Sequence, residues 1–121
     1  PMQYAGAAAL NGDKSHQEVF RRSLKARADV TTRRLNAIEG MSCVPPAAAF
    51  YAMPKLDLPP GRTDKDFVLG LVRNTGLLCV YGSGFGMDPN SGYFRVVFLA
   101  SPPELNEFFD AIEAFTAAFL A

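Results

Sequence analysis

The sequence predicts an α+β domain: a small, mainly antiparallel sheet covered on one face by helices and preceded by a long connecting helix. Three observations lead there. Helical spacing of apolar residues marks segments 15–40, 63–76 and 101–121. Pro45, Pro46, Pro54, Pro59 and Pro60 cut the stretch between the first two into short extended pieces. Two apolar runs, "LLCVY" (77–81) and "YFRVVFLA" (93–100), read as strands on either side of a glycine-rich loop.

Taken in order, "MQYAGAAAL" (2–10) is a short Ala-rich helix closed by the turn dipeptide Asn11-Gly12. The next segment opens on Ser15 and Glu18, spaced as a capping box, and stops at Gly40. Between them Phe20, Leu24, Ala28, Thr31, Leu35 and Ile38 form one apolar stripe. This predicts a helix of about 24 residues, twice the usual length and suited to connecting two bodies. Ala48–Met53 is the expected strand among the prolines. Thr63 and Asp66 then cap a helix whose stripe is Phe67, Val68, Leu71 and Val72, and Gly76 closes it. After the two strands, Ser101-Pro102-Pro103-Glu104 opens a last helix lined by Leu105, Phe108, Phe109, Ile112, Phe115 and Phe119.

With 121 residues, 49% of them apolar and 20% charged, the chain has the makings of one soluble globular domain. A formal net charge of zero gives no overall pull toward nucleic acid or an anionic membrane. The charges are nevertheless uneven: seven of the twelve basic residues lie between Lys14 and Arg34, and eight of the twelve acidic ones from Asp57 onward. No stretch reaches the length of a membrane span, and no signal peptide opens the chain. Cys43 and Cys79, in apolar company, read as reduced, buried thiols of a cytoplasmic protein, with a single disulfide as the alternative. The chain starts at Pro1 in mid-pattern and reads as part of a longer protein.

Arg95 is the candidate functional residue. Along 93–99, Tyr93, Arg95, Val97 and Leu99 share one face, and Phe94, Val96 and Phe98 share the other, which is the natural one to meet the helices. Arg95 therefore points away from the helices, close to the glycine loop. Two readings stand beside each other: an arginine paired with a local aspartate or simply exposed, and a guanidinium set for bidentate recognition of carboxylate or phosphate. Periodicity does not choose between them. The loop "GSGFG" runs on through "MDPNSG" into a strand rather than a helix, so a turn is favoured over a phosphate cradle. His16 is a surface histidine without metal-ligand spacing, the cysteines form no CxxC pair, and no Ser/His/Asp set is legible. The basic helix carries Glu18 and Asp29 among its cations and no aromatic ladder, so it reads as a solvated face.

"PPAAAFYAMPKL", "TGLLCVYGSGFG" and "GYFRVVFLASPPELNEFFDAIEAF", in that order and spacing, resemble the C-terminal small domain of class I/II aminotransferases. These are fold type I enzymes dependent on pyridoxal phosphate, aspartate and alanine aminotransferases among them. The resemblance implies that residues 1–14 are the remnant of a large-domain helix and turn, 15–40 the connecting helix and 41–121 the small domain. It further implies that Arg95 is the residue that grips the substrate α-carboxylate. Phe50 and Tyr51 fall in the family's strand near the substrate entrance, in a structural role first. The sequence departs from the family pattern at Ala48, usually glycine, and at Tyr81, often proline.

Lys14, Lys25, Lys55 and Lys65 sit in no motif matching the family's Schiff-base lysine. The resemblance therefore places pyridoxal phosphate on a large domain outside this chain and makes the chain inactive alone. It implies a cytoplasmic homodimeric parent, with amino-acid and 2-oxo-acid substrates and neither nucleic acid nor membrane as partner. A stand-alone module for small carboxylates is the alternative. So is the small domain of a lyase relative or of an aminotransferase-like regulator.

Overall fold

The computed structural model describes residues 1–121. Helices α1 (Met2–Asn11) and α2 (Ser15–Ala37) are followed by strands β1 (Met41–Ser42), β2 (Tyr51–Ala52) and β3 (Lys55–Leu56). Helix α3 (Asp64–Thr75), strands β4 (Val80–Tyr81) and β5 (Phe94–Val97) and helix α4 (Pro102–Leu120) complete the chain. Between β4 and β5 lie two 3₁₀ turns, Gly82–Phe85 and Pro89–Ser91. The predicted α+β class is the one found.

Strand β5 is the centre of a three-stranded antiparallel sheet in the order β2-β5-β4. Tyr51 faces Val97 on one side, and Val80 faces Arg95 on the other. Strands β1 and β3 form a second antiparallel pair, joined to the first sheet by a bridge between Lys55 and Tyr93. The strands are shorter than 48–53, 77–81 and 93–100. Pro54 limits β2 on one side, and a turn through Ala49, at φ 59°, limits it on the other. That left-handed conformation strains any residue with a Cβ by about 1–2 kcal/mol. Ala49→Gly is accordingly expected to raise the Tm of the chain by about 2–5 °C in a thermal melt, the relieved strain exceeding glycine's entropic cost. A lower Tm would mean that Ala49 is not strained.

The alternation along β5 is as the sequence predicts: Phe94, Val96 and Phe98 are each 1% exposed, while Arg95 is half-buried and Val97 exposed. The buried face meets Phe67, Val68 and Leu71 of α3, Leu105, Phe109 and Ile112 of α4, and Leu35 of α2 in one core cluster. Capping fixes where two of these helices start. Thr63 accepts from the Asp66 N–H while the Asp66 carboxylate accepts from the Thr63 N–H, and Ser101 and Glu104 do the same for α4. Hydrogen bonds from Thr63 and Ser101 hold the Asp66 and Glu104 carboxyls below the usual carboxylate range. Gly76, at φ 76°, supplies the left-handed stop of α3.

Two expectations about α2 are corrected. Ser15 and Glu18 form no capping box: the Asp13 carboxylate accepts from both the N–H and the hydroxyl of Ser15, and Glu18 turns to Arg21 and Arg22. The Ser15 N–H that a capping box gives to Glu18 goes to Asp13, and the Glu18 N–H goes to the Lys14 carbonyl. Phe20 is 52% exposed instead of lining the core, because the first turns of α2 run past the sheet and packing begins at Leu24. No residue of α1 is buried. No helix of the chain is long and apolar enough to cross a membrane.

Cys43 and Cys79 are free, buried thiols. Burial pushes Cys79 up from 9.0 to about 12. Folding thus favours the protonated thiol. The contribution is complete below pH 9 and is lost as pH rises through the window from 9.0 to about 12, as the unfolded thiol ionises first. Iodoacetamide at pH 8 is expected to leave Cys79 unmodified in the folded chain and to label it in urea; native labelling at the denatured rate would contradict its burial.

Candidate functional site

Arg95 stands on the central strand, so its surroundings come from both neighbours. Tyr51 on β2 lies opposite Val97, diagonal to Arg95 on the same face. Val80 on β4 lies opposite Arg95 itself, and the chain leaves β4 directly into the turn that carries Phe85. The Arg95 Cζ sits over the Tyr51 ring, 4.7 Å from its centroid, and over the Phe85 ring, 4.5 Å from its centroid. Cation–π attraction offsets part of the water the guanidinium loses there.

The charge is not otherwise answered. Arg95 forms no salt bridge, and its Nε is buried with no hydrogen-bond partner in the chain. The nearest acid in sequence, Asp88, accepts from the Asn90 N–H and caps the second 3₁₀ turn. An arginine paired with a local aspartate is therefore not what the fold contains. By contrast, five of the cations on α2 are engaged: Arg21 and Arg22 with Glu18, Lys25 with Asp29, Arg27 with the Leu99 carbonyl, and Arg34 with Asp110 and Glu113. That helix is the solvated, ion-paired face its sequence suggests.

The glycine loop works as a turn. The Gly82 N–H donates to the Tyr93 carbonyl at 2.7 Å, and a Cβ at Gly82 would lie 2.6 Å from that oxygen, so only glycine fits. The Ser83 N–H donates to Asp64 and the Gly86 N–H to the Ser83 carbonyl. With these amides taken within the chain, the loop has no cradle to offer a phosphate. His16 lies exposed in the first turn of α2, and no cluster of histidine, cysteine or acidic side chains has the makings of a metal site.

Sequence reasoning singled out Arg95 but not Phe85, whose ring lies against it, nor Asp64, which bonds the turn that carries Phe85. Asp64, 1% exposed, accepts from both the N–H and the hydroxyl of Ser83. No local pattern announces such a contact, because its two ends are separated by a helix and a strand.

No protein-family model matches the sequence. Individual proteins do. The chain is 33% identical over 125 residues to a probable aspartate/prephenate aminotransferase of Rhizobium leguminosarum, a match covering 96% of this chain and 30% of that protein. Among solved structures, an alanine aminotransferase from Pyrococcus furiosus superposes with a TM-score of 0.88 at 40% identity, over 96% of this chain and 29% of the other. The aspartate aminotransferase from Rhizobium meliloti gives 0.83 at 33% identity, over 95% and 30%. The chain belongs to the aminotransferase family. It spans about 30% of the length of the curated relatives it matches and corresponds to the C-terminal small domain of fold type I members. In this aminotransferase domain Arg95, Tyr51 and Phe85 form an open patch; none of the surface hollows is lined by any of the three.

Proposed function

We propose that this chain is the substrate-carboxylate-binding part of a pyridoxal-phosphate-dependent aminotransferase that moves an amino group between an amino acid and a 2-oxo acid. The observation that carries the reading is Arg95: half-buried, without an ion pair, set over two aromatic rings, its Nε unpartnered. A carboxylate offers two oxygens at the spacing of two guanidinium N–H groups, so the pair forms parallel charge-assisted hydrogen bonds. Contact with Tyr51 and Phe85 restrains the side chain before substrate arrives, which lowers the ordering cost of binding and fixes the orientation of the amino acid's Cα. The relatives' names, aspartate/prephenate and alanine aminotransferase, support the substrate class.

The residues of this chain do not fit pyridoxal phosphate itself. That cofactor takes a lysine for its aldehyde and free donors for its phosphate. Lys14 is exposed, Lys25 is paired with Asp29, Lys65 lies over the Tyr81 ring, and Lys55 stands half-buried on the short strand β3. The glycine-loop amides named above are already taken. We therefore place the cofactor on a part of the parent outside these 121 residues. Residues 1–14 belong with that part, since α1 exposes Met2, Tyr4 and Leu10 and buries nothing here. The family resemblance supports a cytoplasmic homodimer as the parent.

The experiment is amino transfer from a panel of amino acids to 2-oxoglutarate, with pyridoxal phosphate, by the full-length protein and by the 121-residue chain. Transfer by the former and none by the latter is expected. Transfer by neither would replace the enzyme reading with that of a carboxylate-binding module.

A further inference from the structure

We infer that Asp64 and Ser83 are positioning residues that set Arg95 through Phe85; the consequence for substrate rests on the carboxylate role proposed above. Asp64 is a carboxylate buried to 1% exposure, with no cation bonded to it. A buried carboxylate is costly unless its hydrogen bonds are made. Both oxygens are used on one residue: Oδ2 accepts from the Ser83 N–H at 2.6 Å and Oδ1 from the Ser83 hydroxyl at 3.0 Å. Capping α3 does not require Asp64, because Thr63 and Asp66 already perform that task. The bonds of Asp64 go instead to the turn Gly82–Phe85, 19 residues on.

That turn has the geometry to pass the constraint along. In a 3₁₀ turn with about three residues per revolution, residues two apart point in different directions. Ser83 faces α3 on the helix side of the sheet, while Phe85 reaches Arg95 on the other side. Tyr93 closes the turn behind Ser83 through its bond from Gly82. Phe85 itself is 49% exposed and stands between Gly84 and Gly86, so its ring depends on the hydrogen bonds of the turn, and the two from Ser83 to Asp64 are the ones that tie that turn to α3. The pair thus fixes the turn, the turn fixes the ring, and the ring restrains the charge.

The test follows the Arg95 Nε–H resonance in the ¹⁵N-labelled 121-residue chain, since ring currents from Phe85 and Tyr51 displace it. Phe85→Leu defines the position without the Phe85 ring. D64N and S83A are expected to move the resonance toward that position, and S83T, which keeps the hydroxyl, to leave it at the wild-type position. In the full-length protein S83A should then raise KM for the amino donor about tenfold, with kcat changed far less. Should D64N fail to fold, S83A decides. A folded S83A whose Arg95 resonance stays at the wild-type position, while Phe85→Leu moves it, would overturn the inference. Titration of the wild-type chain with sodium acetate separates the two proposals: no response at Arg95 counts against carboxylate recognition and leaves the positioning role to be scored on the ligand-free spectra.

Discussion

Arg95→Ala in the full-length protein is expected to lower kcat/KM for its amino-acid substrate by roughly 10²- to 10³-fold. Each hydrogen bond to a charged group contributes about 1.5–3 kcal/mol, and two made by one guanidinium are not fully additive, so the loss is about 3–4 kcal/mol. The fold loses little by comparison. The Arg95 side chain is half-buried, makes no hydrogen bond and no ion pair, and contributes to the domain mainly through its contacts with Tyr51 and Phe85. Activity and stability therefore separate in this variant: circular dichroism and Tm stay near wild type while turnover collapses. Arg95→Lys restores the charge without the planar fork, so it recovers only part of the loss. Steady-state kinetics on both variants checks this, and an unchanged kcat/KM in Arg95→Ala would remove the carboxylate role.

Phe67→Ala carries the largest expected effect on stability, about 3–5 kcal/mol. Phe67 is 1% exposed on α3, and its ring lies 5.1 Å from Phe94 of β5, 5.5 Å from Phe115 and 5.3 Å from Phe119 of α4. One side chain thus joins the sheet to two helices, and its removal leaves a cavity bounded by rings that cannot close on it. A domain of this size has about 5–15 kcal/mol in total, so the variant sits near the edge of folding at 25 °C. A urea titration should show the midpoint falling with the slope retained. A loss below about 1 kcal/mol would mean that this aromatic cluster is not the centre of the core.

Most of what depended on neighbours within one turn of chain was legible in the sequence. The caps Thr63–Asp66 and Ser101–Glu104 are written three residues apart and form as spaced. The alternation of Phe94, Arg95 and Val96 places the charge on the face away from the helices, because the period of a strand is fixed by its backbone. Where local signals competed, reading by pattern failed. Asp13 displaced Glu18 as acceptor for the Ser15 N–H at the start of α2, and the apolar stripe that includes Phe20 continued beyond the body it was to pack against. Strand lengths, too, were set by where a partner strand ended, which no single run of residues records.

By itself, then, the sequence determined the α+β class, the helix starts, the core face of β5 and the single arginine opposite it. Only the tertiary structure decided that Tyr51 and Phe85 meet this arginine, that no acid of the chain neutralises it, and that Asp64 holds the turn beside it. The physical reason is range: periodicity and capping arise from backbone geometry over three or four residues. The surroundings of a charge arise from the path of the chain in space, which brings together residues that share no local pattern.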